Sequence, residues 1–301
     1  MTKFKPLVVL MVLSLLSLGS IAEDRLKPFV LAASSAGDFD VIAQDTQGAI
    51  AAAGYDIIGT YVPYAGAMVI VFTSDRLQQA AGKTELGAFG SVLRASVTAI
   101  DGEVQVGFVN PVYLANAYRL EDDLADEREK LIAALGFNID FGSKRGKTAK
   151  SLRRYNYMLG MEHFDDVYAL GSYDSQAAAV AGVDAALAAN AVGVKPVYRL
   201  ELPDIDAVIY GVSMQAVSED NTFYDDAYQM SVVDFKALRS TAYLPYEILV
   251  QNGEVQALHM RFRMAVHFPD LSMMGKHSFM TLMASPKAIQ KALAAAVSPE
   301  S

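Results

Sequence analysis

The chain has 301 residues, 52% of them hydrophobic, and a formal net charge of −9. That is enough for two ordinary domains with sizeable cores, and the acidic balance argues against a nucleic-acid partner, whose phosphates reward a basic surface. There is no cysteine, which excludes disulfides, thiolate zinc sites, iron–sulfur clusters, covalently attached c-type haem and cysteine nucleophiles together.

The N-terminus reads as an export signal. Lys3 and Lys5 form a basic start, Leu7 to Leu18 an apolar run, and Ser20-Ile21-Ala22 a small-x-small cleavage site before Glu23-Asp24. The run is short for a bilayer span of about 20 residues. Residues 1–22 are therefore expected to be cleaved as a signal peptide, leaving a periplasmic or secreted protein with no stable membrane span.

Residues 23–140 are expected to form a first α+β unit. Phe29 to Ala33 is a short strand. Asp38 or Asp40 caps a helix running to about Ala53, and Gly54 ends it where positive φ is cheap only for glycine. Tyr55 to Val62 and Ala67 to Thr73 are strands turned by Pro63-Tyr64-Ala65-Gly66, and Ser74-Asp75 starts a short helix through Ala81. Val92 to Ile100 and Glu103 to Val109 form a hairpin on Asp101-Gly102, because the tight turns that match strand twist hold both central residues at positive φ. Asn110-Pro111 opens a helix, and a charged amphipathic helix covers Glu121 to Leu135. Residues 141–165, glycine-containing and basic, read as a linker.

The same order returns in residues 166–301. Val167 to Gly171 is a strand, Ser175 to Ala191 an alanine-rich helix, and Val194 to Leu202 and Ala207 to Met214 are strands. Tyr243 to Gln251 and Glu254 onward form a hairpin on Asn252-Gly253, the second strand running on to Phe268. Phe268-Pro269 then leads into a helix over Ser272 to Ala284, and Ser285-Pro286 caps a last helix to about Val297. Gly54 and Gly193 lie 139 residues apart, Gly102 and Gly253 151 apart, and an acidic, aromatic insertion near 215–230 fills the difference of 12. These offsets predict an internal duplication. The expected fold class is α+β: two tandem repeats, each an antiparallel sheet with helices packed on one face.

The strand–helix–Gly–strand–strand unit ending in a glycine-turned hairpin resembles the small prokaryotic domain-of-unknown-function 302 family. The matching stretches are Asp38 to Thr73 with Ser91 to Pro111, and Ser175 to Met214 with Tyr243 to Pro269. The resemblance implies a tandem pair of compact α+β units that tend to pair with each other, and carries no catalytic residues.

Candidate chemistry concentrates after the second hairpin, which holds three of the four histidines. On a helix through Ser272 to Ala284, Met273, His277 and Met280 fall at i, i+4 and i+7, hence on one face. Thioether and imidazole suit Cu(I), while methionines at helical spacing also serve as core filler. On an extended strand, His259, Arg261, Arg263 and His267 share the face opposite Met260 and Met264. Two arginines between two histidines suit an anionic ligand or an enzyme site; a solvated sheet face or a cover for acidic neighbours is the structural alternative. Gly142 to Thr148 is one residue short of a phosphate loop. Glu219, Asp220, Asn221, Asp225 and Asp226 lack calcium-loop spacing and read as a mobile surface loop. His163 beside Asp165 and Asp166 has no nucleophile in register, and neither a Gly-x-Ser-x-Gly elbow nor a His-Glu-x-x-His motif occurs.

The leading expectation is a non-enzymatic exported binding or interaction protein, with a small-molecule or protein partner and no predicted cofactor. Its ligand would sit at the repeat junction or beside the second hairpin. The alternatives are a copper-binding protein using Met273, His277 and Met280, and an enzyme with a site near His259, Arg261, Arg263 and His267.

Overall fold

The computed structural model describes residues 24–189 and 192–298, so the expected signal segment lies outside the described residues. β1 (Phe29–Ser35) leads into α1 (Phe39–Ala52), whose start is fixed by the Asp38 carboxylate accepting from the N–H groups of Asp40 and Val41. β2 (Asp56–Tyr61) and β3 (Ala67–Thr73) follow, then α2 (Asp75–Ala81) on its Ser74 cap. β4 (Leu93–Ile100) and β5 (Glu103–Val109) form the expected hairpin, with Asp101 and Gly102 both at positive φ. α3 (Pro111–Ala117), α4 (Ala125–Leu135), β6 (Ile139–Phe141) and α5 (Ala149–Leu152) come next.

The second half has β7 (Val167–Ser172), α6 (Gln176–Ala189), β8 (Val194–Leu202), β9 (Ala207–Met214) and α7 (Asp226–Val233). It closes with the β10 (Tyr246–Gln251) and β11 (Glu254–Leu258) hairpin on Asn252-Gly253, then α8 (Met260–His267) and α9 (Ser285–Val297). The class is α+β, with two antiparallel sheets ordered β2-β3-β4-β5-β1-β6 and β7-β11-β10-β9-β8. Traced from its β8 edge, the second sheet has the order of the first five strands of the other. No helix among the described residues is long and apolar enough to cross a membrane.

Helices α1 and α4 cover one side of the first sheet, and α6 and α9 one side of the second. The remaining faces meet. β4 alternates Leu93, Ala95 and Val97 toward the helices with Arg94, Ser96 and Thr98 toward the other half, and all six are buried. Arg94 reaches Glu247 on β10, and Thr98 and Tyr64 both hydrogen-bond Thr241. The interior of the molecule thus has apolar outer layers and a polar seam between the sheets.

Three expectations change. β11 does not run to Phe268. His259 stops it: the imidazole Nδ1 accepts from the Arg261 N–H and caps α8, as Asn110 accepts from Val112 and caps α3. All α8 residues except Arg261 are buried, so the segment carries no clear helical stripe, and its alternating apolar residues mimic a strand. Residues 272–284 are not a helix but a closed loop, with Ser272 bridged to Ser278 and Gly275 at φ +106°. The 215–230 insertion is not a loose loop, since Asp225 caps α7 and Asp226 is buried. The 141–165 linker does connect the two sheets, but it is packed in place: Phe141 pairs with β1, and the Tyr155 hydroxyl donates to the Ala265 carbonyl of α8.

Tyr198 crosses β9 at Gly211 to reach Glu247. A Cβ on Gly211 would lie 1.9 Å from the Tyr198 ring. Gly211→Ala is expected to cost about 1–3 kcal/mol of unfolding free energy by overpacking, measured by denaturant titration; an unchanged midpoint would contradict this placement of Tyr198.

Candidate functional site

The four residues expected on one strand face are split by the α8 helix into two pairs. His259 and Arg261 face outward and share Glu162, at 3.4 Å and 2.9 Å from its Oε1. His259 also packs on Tyr168 with ring centres 4.3 Å apart, and burial holds its pKa below the usual imidazole range. Arg263 and His267, one turn apart on the buried side of α8, point into the seam between the sheets. The strand alternation had put all four on one face; the helix instead sends His259 and Arg261 to Glu162 and turns Arg263 and His267 inward.

Arg263 is wholly buried. Its Nη2 donates to the carbonyls of Tyr243 and Pro245, its Nε lies 3.8 Å from Glu247 Oε2, and its guanidinium stacks 4.2 Å from the Tyr243 ring centre and 4.7 Å from that of Tyr246. Arg94, also wholly buried, donates to Glu247 Oε1 at 2.7 Å. Tyr198 donates to the same oxygen. His267 is held neutral, well below the usual imidazole range, by burial first and then by the two guanidiniums. In that state its Nδ1–H donates to the Arg263 carbonyl at 2.8 Å.

Two buried guanidiniums face one carboxylate at Glu247. The charge of Asp226 is the other acidic influence on Arg263's surroundings. Asp226 is buried and accepts from the Met214 N–H at 2.9 Å. Desolvation pushes its pKa up to about 7, while the Met214 N–H and Arg263 pull the other way. The seam is electrically balanced when Asp226 is ionised and one charge positive when it is protonated. Nothing in the sequence marks Arg94, Glu247 or Asp226 as special: each sits at a polar position of an alternating strand or in an acidic loop.

Beside this seam a cleft of about 560 Å³ opens between the two halves. Lys27, just before β1, and Ile139 and Phe141 of β6 line it from the first half, Lys144 from the connecting segment, and Asp234, Phe235, Lys236, Leu238, Phe268 and His277 from the second half. Phe268 forms part of its floor and touches Tyr243, whose ring stacks on Arg263. The cleft acids are already engaged. Asp140 pairs with Arg128, Asp270 accepts from the Lys144 N–H, and Asp234 accepts from the Ser240 N–H. Burial raises Asp234 to about 6. Among the described residues, no carboxylate lies within ion-pair distance of Lys27, Lys144 or Lys236.

The expected Met273, His277 and Met280 set is divided. His277 turns into the cleft, stacked on Phe235 at 4.2 Å with its Nδ1 bonded to the Val232 carbonyl. Met273 and Met280 line a separate pocket of about 240 Å³. Among the described residues, no three His, Asp or Glu side chains are placed to hold a metal ion. The second hairpin is covered, with Gly253 bonded to Gln176 and Tyr173. Comparison with family models, with curated proteins and with solved structures gives no match.

With a folded pKa of about 7 against about 3.9 unfolded, Asp226 keeps its proton in the fold where the unfolded chain has lost it. Its contribution is fully present below about pH 4 and is lost as pH rises to about 7. Neutral His267 acts oppositely, costing stability below about pH 6.5. Asp226→Asn isolates the acid. Relative to the unsubstituted protein it is expected to gain up to about 1.4 kcal/mol per pH unit across that window, read from denaturation midpoints. An equal difference at pH 5 and at pH 7 would contradict the burial of this carboxyl.

Proposed function

We propose that the protein is an exported, non-enzymatic binding protein whose ligand is a small amphipathic carboxylate held in the cleft between its two halves. The observation that carries this reading is the combination of unpaired lysines with an aromatic platform. Lys144 and Lys236 are exposed at the rim without a carboxylate partner. Phe235, 43% exposed, lies stacked on His277 at the same opening. Cations set around exposed aromatic surface match an anion that carries an apolar body. Export follows from the signal-like residues 1–22.

We further read the halves as copies of one unit, which the resemblance to the domain-of-unknown-function 302 family implies. The shared strand order, the two Gly-turned hairpins and the two capped helices that follow them support it. So does the meeting of α3 and α8 at their C-terminal ends, where Tyr118 and His267 lie 6.4 Å apart. A ligand at the junction then touches both copies, and the unequal second copy supplies the aromatic platform.

Calorimetric titration with a panel of aryl and alkyl carboxylates, each beside its uncharged amide, tests the reading. Saturable binding is expected for a carboxylate and not for its amide. Lys144→Gln and Lys236→Gln are each expected to weaken it about tenfold, the loss of one charge-assisted hydrogen bond. Equal binding of acid and amide, or no change in either variant, would refute an anion site in this cleft.

A further inference from the structure

A second site stands apart from the cleft. Met273, Met280 and Met283 come from the closed loop after α8, Met161 from the connecting segment, and Met260 from the first turn of α8; all five line the 240 Å³ pocket. Backbone bonds converge the loop methionines. The Met280 N–H donates to the Met273 carbonyl and the Met283 N–H to the Met280 carbonyl. The loop is braced from inside by Ser278 and Thr281, whose hydroxyls donate to the Gly275 carbonyl. Its backbone is therefore positioned, not adaptable filler.

Exposure separates this arrangement from ordinary packing. Methionines that fill core gaps are buried. Here Met273 is 40%, Met280 50% and Met283 60% exposed, while Met260, lining the same pocket, is 2% exposed. A braced loop that brings several methionines to a pocket with no imidazole or carboxylate among its lining residues, and whose one charged lining side chain, Arg261, is paired with Glu162, is a soft-donor set. Neutral sulfur donors select Cu(I) over harder divalent ions.

We propose that the Met161, Met260, Met273, Met280 and Met283 pocket binds Cu(I) through thioether sulfurs. His277, which sequence spacing had joined to Met273 and Met280, takes no part because it faces the cleft. Thioethers carry no proton to lose, so Cu(I) binding releases none and the affinity is independent of pH. An imidazole site would weaken as pH falls through the histidine range, near 6.5.

Anaerobic titration of the mature chain with Cu(I), in competition with a chromophoric Cu(I) chelator, decides the matter. One equivalent is expected to bind with equal affinity at pH 5 and at pH 7. The variant M273L/M280L/M283L, which keeps side-chain volume, is expected to lose more than the roughly 100-fold that removing an outer-shell partner costs. His277→Ala is expected to bind as the unsubstituted chain does. As a check independent of any variant, Ag(I) added to the unsubstituted chain labelled at its methionine methyls should shift the pocket methyls and leave those of Met158 and Met274 in place. Failure to compete with the chelator, unchanged affinity in M273L/M280L/M283L, a loss on His277→Ala, or methyl shifts confined to other methionines would overturn the proposal.

Discussion

The buried carboxylate of Glu247 joins the two halves through charge, alongside the hydroxyl bonds of Thr98 and Tyr64 to Thr241. Glu247 accepts from Arg94 of the opposite sheet and from Tyr198 of its own, and its Oε2 lies 3.8 Å from Nε of Arg263 on the helix that follows β11. All three charged side chains have lost their water, so each depends on the others: removing one partner of such a group leaves an uncompensated buried charge and typically costs about 3–5 kcal/mol. Replacing all of them with apolar groups need not destabilise at all. The arrangement therefore secures orientation more than strength. Apolar sheet faces can slide across one another, whereas a guanidinium aimed at a carboxylate fixes where β4 meets β10.

That fixed orientation sets the cleft. The seam places β6 and the connecting segment opposite the loop after α7, and the opening between them collects lysines from three separate stretches of chain. It also sets Phe268 between the open cleft and the Tyr243–Arg263 stack. A ligand pressing on Phe268 is thus two ring contacts from the charges that join the halves. The methionine pocket is separated from the cleft by the closed loop of residues 272–284 after α8: His277 lines the cleft, and Met273 and Met280 line the pocket.

Much of the fold was legible because local chemistry and tertiary structure agree. Asp38, Ser74 and Asn110 cap helices where a capping residue precedes an apolar pattern, and both two-residue hairpins form on Asp-Gly and Asn-Gly. Legibility ended at α8. A helix buried on nearly every side has no polar stripe to display, so Met260, Phe262, Met264 and Val266 read as a strand. The charged seam was hidden for a related reason. Arg94, Ser96 and Thr98 alternate with apolar residues as a solvent-facing strand would; only the second sheet laid over them makes the pattern an interior one. Pairing Arg94 with Glu247 spans 153 residues, and no local period records such a contact. The clustering of methionines after the second hairpin was visible, but the choice of partners was not, because helical spacing joined His277 to side chains that the loop turns away from it.

A crystal structure of residues 23–301 grown with para-bromobenzoate is the most direct test, since bromine can be located by its anomalous scattering. The bromine is expected beside Phe235 and His277, the carboxylate within hydrogen-bonding distance of Lys144 or Lys236, and the Arg94–Glu247–Arg263 seam intact behind Phe268. Bromine in the methionine pocket alone, an empty cleft at saturating ligand, or Glu247 turned away from both arginines would contradict that arrangement.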